Sequence, residues 1–549
     1  MAKHLIVGGV AAGMSAAARL RRLDEQCEII VLERGGYISY ANCGLPYYVG
    51  NEISERNNLL LQTPESFRSR FNVEVRVQNQ VLSLHPDFKT VLIRNLLSGE
   101  QYQESYDSLL LAPGGSPLRP AIPGIDHPAV QTLWTIPDTD EIRARIDGGL
   151  VKKAVVAGGG FIGLEMAENL HQRGVEVTLV EMAPQVMNVI DPEMAAIVHR
   201  ELRTHGVELL LNETVTGFEP LDGGRVRVQC VSGAGIEAEL VLLSIGVKPN
   251  TEFLADSGIK LGARGHIIVD AQLRTNLPDI FAAGDAIEVV NPFSGRKTAV
   301  PLAGPANKQG RMAADNMLGT AVKSYHGTMG TAIAKVFNLA VGVTGATEKF
   351  CRAECIPCQS VIIHSNQHAG YYPGASMLSF KLVFSPQSRA VLGAQLVGRE
   401  GIDKRIDVIA TAIKAGMTVD DLTEIEHAYA PPYSSAKDPV NMIGFVAQNV
   451  LDKLVESITF DKLEEALRAG AYLLDVRSPL EYADGTITGA VNIPLDILRS
   501  KLADLPKDRM IVVFCKVGLR GYIAARILSA HGFTNRNLSG GYETWQVAE

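Results

Sequence analysis

Residues 154–181 read AVVAGGGFIGLEMAENLHQRGVEVTLVE. Ala154–Val156 is apolar and leads into Gly158, Gly160 and Gly163, spaced as GxGxxG. Leu164–Arg173 follows with helix-forming residues, and Glu176–Val180 is a second apolar run that ends at Glu181. The pattern is strand, glycine turn, helix, strand. Such glycines let a backbone approach a pyrophosphate at the N-terminus of the helix. An acid at the end of the second strand binds a ribose 2′-hydroxyl and repels a 2′-phosphate, which favours NADH over NADPH.

The same pattern opens the chain. His4–Gly9 is a short apolar run ending in glycines, Val10–Leu23 is helix-forming, and Glu28–Leu32 is a second run closed by Glu33 and Arg34. Gly8, Gly9 and Gly13 are the expected phosphate-facing positions, with Glu33 and Arg34 as further nucleotide contacts. The middle glycine of the motif is replaced by Val10. Arg19, Arg21 and Arg22 lie on the following helix, where a second phosphate-bearing ligand is plausible. Two fingerprints in one chain are far more specific than one. Between and after them come SLLLAPGGSP (Ser108–Pro117), LVLLSIG (Leu240–Gly246) and TNLPDIFAAGDA (Thr275–Ala286), where Asp285 is placed to meet the ribityl or pyrophosphate part of FAD.

The chain has 549 residues, too many for one core, and three or four domains are expected. A formal charge of −8 argues against a nucleic-acid partner. The seven cysteines are odd in number and irregularly spaced, so they do not form a disulfide framework and point to a reducing compartment. No apolar run approaches the ~20 residues of a membrane span. No signal peptide is expected, so the reading is cytoplasmic, with no membrane partner.

Downstream of the first fingerprint lies SYANCG, Ser39–Gly44. Cys43 has no cysteine two to five residues away and cannot close a local CxxC disulfide. The order of all these segments resembles the pyridine nucleotide–disulfide oxidoreductases, in which the first nucleotide site holds FAD and the second NAD(P)H. A lone cysteine in SYANCG is similar to the branch with a single redox cysteine, which includes coenzyme A–disulfide reductases, persulfide reductases, and NADH oxidases and peroxidases. The resemblance covers about residues 1–445. HAGYYPG (His368–Gly374) and HAYAPPYSSAKD (His427–Asp438) extend it to the coenzyme A–disulfide reductases. There it implies that Tyr371 and Tyr429 reach the active site of a partner subunit, with Tyr433 and Tyr372 as weaker alternatives. It also implies that Arg19 and Arg22 contact coenzyme A phosphates, and that Ser39, Asn42 and Lys437 bind substrate.

CRAECIPC (Cys351–Cys358) has CxxxCxxC spacing, but nothing around it supports an iron–sulfur cluster. It reads as a helix end, Ala346–Glu354, running into a strand, Ser360–His364, with incidental thiols, and no metal is expected. Beyond a helix-like linker, a compact α/β unit carries LLDVR (Leu473–Arg477), GAVNIP (Gly489–Pro494) and MIVVF (Met510–Phe514). CKVGLR (Cys515–Arg520) and a helix from Gly521 to His531 follow. A cysteine at a strand end, before a loop of amides and an arginine, makes an anion cradle. These motifs resemble the rhodanese domain, with Asp475 and Arg477 as its structural pair and Thr486 where histidine is common.

The expected fold is α/β, with two Rossmann-like dinucleotide-binding domains, an α+β dimerisation domain and a C-terminal rhodanese-like domain. The expected boundaries are 1–115 with 247–325 for FAD, 116–246 for NAD(H), 326–447 for dimerisation, 448–456 for the linker and 457–549 for the rhodanese domain. The expected activity is FAD- and NADH-dependent reduction of a coenzyme A persulfide, polysulfide or disulfide through Cys43, with Cys515 carrying sulfur, in a homodimer. An NADH oxidase or peroxidase using a Cys43 sulfenic acid explains residues 1–445 equally well but leaves Cys515 idle. A sulfur carrier or redox-sensing scaffold is a third reading, and a complete second fingerprint argues against it.

Overall fold

The computed structural model describes residues 1–319 and 322–548. They fall into two compact units: Met1–Pro184 with Val207–Gly330, and Gln185–Gly206 with Thr331–Glu549.

The first unit holds two parallel five-stranded sheets. One runs Ile280–Ala282, Ser108–Leu111, Lys3–Val7, Glu28–Leu32, Glu74–Arg76 in spatial order. Its central strand places Leu5 opposite both Ile30 and Leu109. Both faces are covered, which is why these strands read as continuous apolar runs without alternation. The chain leaves this sheet after Ser108–Leu111, builds the second one and returns at Ile280–Ala282. The second sheet runs Glu208–Leu211, Glu176–Glu181, Lys153–Ala157, Leu240–Leu243, Val130–Gln131. In each sheet the helix after the central strand begins at its C-terminal edge, Ala11–Leu23 in the first and Phe161–Gln172 in the second. That edge is where ligands of open parallel sheets bind.

The second unit holds an antiparallel sheet in the order Ala332–Val336, Leu339–Gly345, Val391–Gly398, Met377–Phe384, Gln359–Asn366, and a parallel one in the order Ser457–Ile458, Asn535–Leu538, Ile511–Phe514, Tyr472–Asp475, Val491–Asn492. Helices Ile402–Ala415 and Pro439–Leu451 supply the apolar face that covers the antiparallel sheet, through Ile406, Ile409, Val440, Ile443 and Ala447. The helix Pro439–Leu451 runs four residues into the segment expected to be linker, and Gln448 donates to Asp420 at 2.8 Å. Only Asp452–Glu456 lies between it and the next strand. The segment Gln185–Gly206, which lies within the stretch expected as the NAD(H) domain, packs with this unit. Its hold is ionic. The Lys381 ammonium, 2% exposed, contacts Asp191 at 2.9 Å, Glu348 at 2.8 Å and also Glu193.

Candidate active site

The two glycine turns are built alike. Gly8 and Gly158 both have φ +107°, a region open to glycine alone at little cost. A Cβ on Gly8 would lie 2.0 Å from the Ala112 carbonyl oxygen, and one on Gly158 2.5 Å from that of Ser244. Glu33 accepts the Gly9 and Gly35 amides at 2.7 and 2.6 Å, and Glu181 accepts the Gly159 and Ala183 amides at 2.6 and 2.7 Å. Each acid therefore ties its glycine turn to the end of the second strand. At the middle motif position Gly160 faces open space, while Val10 takes its place in the first turn with φ −117°. Val10 needs no glycine conformation, which is why the imperfect first motif still folds as a nucleotide turn. Neither following helix has a side-chain cap or an acid in its first turn. Their leading amides are left for an anion, as a dinucleotide pyrophosphate requires.

The Cys43 loop is strapped to the first turn. Ser39, with φ +44°, donates its amide to the Gly9 carbonyl at 3.0 Å. Cys43 then sits in a single helical turn, Asn42–Gly44, ahead of helix Leu45–Val49, with its side chain exposed. Apolar surroundings, then the Glu165 and Asp285 carboxylates, push its thiol above the ordinary value. Asp285 follows the strand Ile280–Ala282, and its burial pushes it up to about 6. It lines a cavity of about 180 Å³ together with Lys248, Arg264 and His266. Its side chain has no protein hydrogen-bond partner among the described residues, and that fits a polar ligand group such as a ribityl hydroxyl.

Glu165 was not anticipated. It follows the last glycine of the second fingerprint by two residues, and the Tyr47 hydroxyl donates to it at 3.3 Å. Burial, opposed by that hydrogen bond and reinforced by the Glu168 charge, pushes Glu165 up to about 7. A carboxyl raised this far is suited to general acid or base work, and its charge acts on Cys43. The only signal in the sequence is its position early in a nucleotide-binding helix, two residues after the last glycine.

The three arginines of helix Ala11–Leu23 separate. Arg19 pairs with Asp315 at 2.7 Å, and Arg21 turns inward to the carbonyls of Asp24, Glu25, Phe71 and Asn72. Arg22 is exposed, with no ion pair among the described residues. Arg34, Asn42 and Lys437 are exposed as well.

In the second unit the Tyr371 and Tyr429 hydroxyls lie 3.1 Å apart, the two side chains 77% and 49% exposed. Their loops are pinned from beneath. Arg405, buried, donates to Asp438 at 2.8 Å and to the Gln367 carbonyl at 2.7 Å. The Ala369 amide donates to the Ser434 carbonyl at 3.1 Å. Tyr433 is exposed, and Tyr372 meets the His368 ring edge-on.

Cys515 ends the strand Ile511–Phe514, buried, and its sulfur accepts the Gly518 amide at 3.2 Å. The helix begins at Leu519, not Gly521, so Arg520 stands in its first turn within reach of the Cys515 sulfur. Arg520 donates to both carboxylate oxygens of Glu481, at 2.6 and 2.8 Å. Behind the loop Asp475 and Arg477 form a buried pair at 2.7 Å, and Thr486 donates to Asp475 at 2.8 Å. Thr486 therefore supports that pair where histidine was expected.

The three cysteines of CRAECIPC do not converge on a metal site. Cys351 is buried, Cys355 exposed and Cys358 half-buried. Among the described residues, the one group of ligand atoms close enough to share an ion is Asp191, Glu193 and Glu348, and the Lys381 ammonium sits against all three.

Residues 2–310 match the profile of the Pyridine nucleotide-disulphide oxidoreductase family, 331–439 that of its dimerisation domain, and 459–548 the Rhodanese-like domain. The chain belongs to the pyridine nucleotide-disulphide oxidoreductase family. It is an oxidoreductase with a rhodanese-like domain at its C-terminal end, and family membership implies FAD and NAD(P)H. Among its relatives, the coenzyme A disulfide reductase of Staphylococcus haemolyticus is 35% identical over 82% of this chain and all of that protein. The reduced CoADR-RHD of Bacillus anthracis matches all of this chain and 98% of that one, at 48% identity and TM-score 0.97. The NAD-dependent persulfide reductase from A. fulgidus matches 99% of this chain and all of that one, at 38% identity and TM-score 0.93. A water-forming NADH oxidase from Lactobacillus brevis matches 83% of this chain and all of its own, at 28% identity and TM-score 0.79. No helix among the described residues is long and apolar enough to cross a membrane.

Proposed function

We propose that this chain reduces coenzyme A persulfides, polysulfides or coenzyme A disulfide with NADH, through Cys43 as the single redox cysteine and Cys515 as sulfur carrier. One observation carries the reading: the chain has two thiols placed for sulfur chemistry, an exposed one in the first unit and one in an amide cradle in the second. The structures similar over 99–100% of this chain are a CoADR-RHD and a persulfide reductase, whereas the NADH oxidase matches 83% of it.

Residues Gly8, Gly9, Gly13, Glu33, Arg34 and Asp285 would hold FAD. Gly158, Gly160, Gly163 and Glu181 would hold NADH. When bound, this pair supplies two electrons, which with one proton convert a Cys43 persulfide to the thiolate and hydrosulfide. The thiolate of Cys43 forms the persulfide by attacking the terminal sulfur of R–S–SH, breaking the donor's S–S bond so that R–SH leaves with the proton. Glu165, whose charge acts on Cys43, would take the Cys43 proton and return it. Arg22, with Ser39, Asn42 and Lys437, would meet coenzyme A. Tyr371 and Tyr429, facing solvent in their own protomer, would assist the leaving thiol in the partner of a homodimer. Phenylalanine at both positions is expected to lower kcat about tenfold with persulfide as substrate, and unchanged kcat would remove the pair from the reaction.

NADH over NADPH rests on Glu181, followed by the exposed Met182 in a stretch without Lys or Arg. The double change Glu181→Ser and Met182→Arg removes the repelling acid and adds a phosphate partner. It is expected to move the NADPH/NADH ratio of kcat/KM upward by on the order of tenfold or more. A ratio that does not move would mean that Glu181 only braces the glycine turn.

The reading as a whole is tested by NADH consumption with coenzyme A persulfide and hydrogen peroxide side by side. Faster turnover with the persulfide supports it, and faster turnover with peroxide transfers the assignment to a peroxidase.

A further inference from the structure

We infer that the Cys515 site draws its sulfur from organic persulfides, R–S–SH, and that Glu481 is the residue that sets this choice by occupying Arg520. This rests on the reading of Cys515 as a sulfur carrier.

An arginine one turn from a cradled thiol ordinarily offers a planar fork of two N–H groups, which matches the oxygens of an oxyanion. Thiosulfate, S–SO₃²⁻, presents such a group on the atom that carries its sulfane sulfur. Here both terminal nitrogens of the fork already bind Glu481, while the guanidinium also reaches the Cys515 sulfur. Nη1 and Nη2 of Arg520 bind the two oxygens of Glu481 at 2.8 and 2.6 Å. Glu481 is itself fixed. It closes the capping box of helix Pro479–Ala483, accepting the Ser478 amide at 2.9 Å. Arg520, ahead of that amide, holds its carboxyl down at about 2, so the pair persists across the neutral range.

The charge near the sulfur is correspondingly small. Arg520 and Glu481 cancel, and Asp475 and Arg477 cancel behind the loop. Lys516 is exposed, with no ion pair among the described residues. A dianionic donor would have to displace Glu481 or dock on Lys516 alone. An organic persulfide needs neither, because its sulfane sulfur carries no oxygens. The flanking residues suit it too: Leu480 and Leu519, adjacent in the chain to Glu481 and Arg520, are 84% and 59% exposed and offer apolar surface to an organic arm.

The transfer balances without an outside oxidant. The Cys515 thiolate attacks the terminal sulfur of R–S–SH, a new S–S bond forms to Cys515, the S–S bond of the donor breaks, and the proton leaves with R–SH. With thiosulfate the same attack would expel sulfite, whose departing charge Arg520 would have to stabilise.

The test uses the full chain with glutathione persulfide and thiosulfate as donors and reads the persulfide on the Cys515 peptide by mass spectrometry, in the wild type and in Glu481→Gln. The wild type is expected to load at least about tenfold faster from glutathione persulfide. Glutamine keeps the cap but frees the guanidinium, so thiosulfate loading should rise about tenfold through a lower half-saturating concentration, with persulfide loading nearly unchanged. Equal loading from both donors in the wild type overturns the inference whether or not the variant folds, and so does a variant in which both donors slow together. Loading from neither donor overturns the carrier reading itself, and the inference with it.

Discussion

Serine at position 43 is expected to lower NADH-dependent persulfide reduction by on the order of 10³-fold or more. The reason is chemical, not architectural. A hydroxyl has neither the nucleophilicity toward sulfur nor the capacity to hold a sulfane atom through a reducible bond. The loop itself does not depend on the thiol. Its attachment to the first nucleotide turn is a backbone hydrogen bond, from the Ser39 amide to the Gly9 carbonyl at 3.0 Å, and the Gly44 amide closes the turn on Ala41 at 2.8 Å. The variant should therefore fold, and its flavin absorbance should match the wild type. Intact mass gives a second readout: coenzyme A disulfide should leave an adduct on the Cys43 peptide of the wild type and none on the variant. Full turnover in the variant would show that reducing power reaches the substrate without passing through this side chain. The companion change, Cys515→Ser, separates the two thiols. It should spare coenzyme A disulfide reduction, which needs only Cys43.

The thiol at position 43 also shows why a raised value does not disqualify a nucleophile. Glu165 and Asp285 both oppose its ionisation, and both are themselves raised, to about 7 and about 6. A site whose acids titrate close to neutrality can pass a proton at little cost. This arrangement was only partly legible in the sequence. The glycine turns and their acids were legible because a positive φ and a close approach admit one residue type, and the requirement recurs in both halves. Val10 shows the limit of that logic, since a motif position facing the ligand constrains nothing in the chain. Glu165 was hidden because its role comes from the burial that folding imposes, not from spacing. Arg19 and Arg21 stand two positions apart on one helix, yet one pairs with Asp315, far along the chain, and the other fills carbonyls of a neighbouring loop. The segment read as a helix-like linker from residue 448 is, up to Leu451, the end of the preceding helix. The apolar pattern of residues 439–451 carries no break at 448, and the helix stops only beyond Leu451.

Least legible was the buried charge cluster, and its removal has the largest expected effect on stability. Asp191, Glu193, Glu348 and Lys381 are scattered over some two hundred positions of sequence, and no local pattern joins them. In the structure Lys381 is the cation common to three carboxylates. Lys381→Met keeps the length of the aliphatic stem and deletes the charge. Asp191 retains the amides of Glu348 and Lys349 and the Gln395 side chain, and Glu348 retains Ser360 and Arg352. Those contacts keep the backbone in place but do not neutralise the cluster. Breaking a buried pair by removing one partner costs about 3–5 kcal/mol, so a clear fall in the denaturation midpoint is expected. The pH dependence supplies the decisive sign. In the wild type Glu348 is held down at about 2, with Lys381 the chief stabilising charge against the burial that opposes it. Its contribution is present above the ordinary carboxylate value and disappears only as pH falls toward 2, so the wild type should be flat between pH 5 and 8 with respect to this cluster. Without the ammonium, burial favours the protonated carboxyls and the shift reverses. Stability then holds at low pH and declines as pH rises, so the variant should be more stable at pH 5 than at pH 8. A midpoint that falls equally at both values would mean that the loss comes from packing around the Lys381 stem. One that does not fall would mean that water or another cation already serves the three carboxylates.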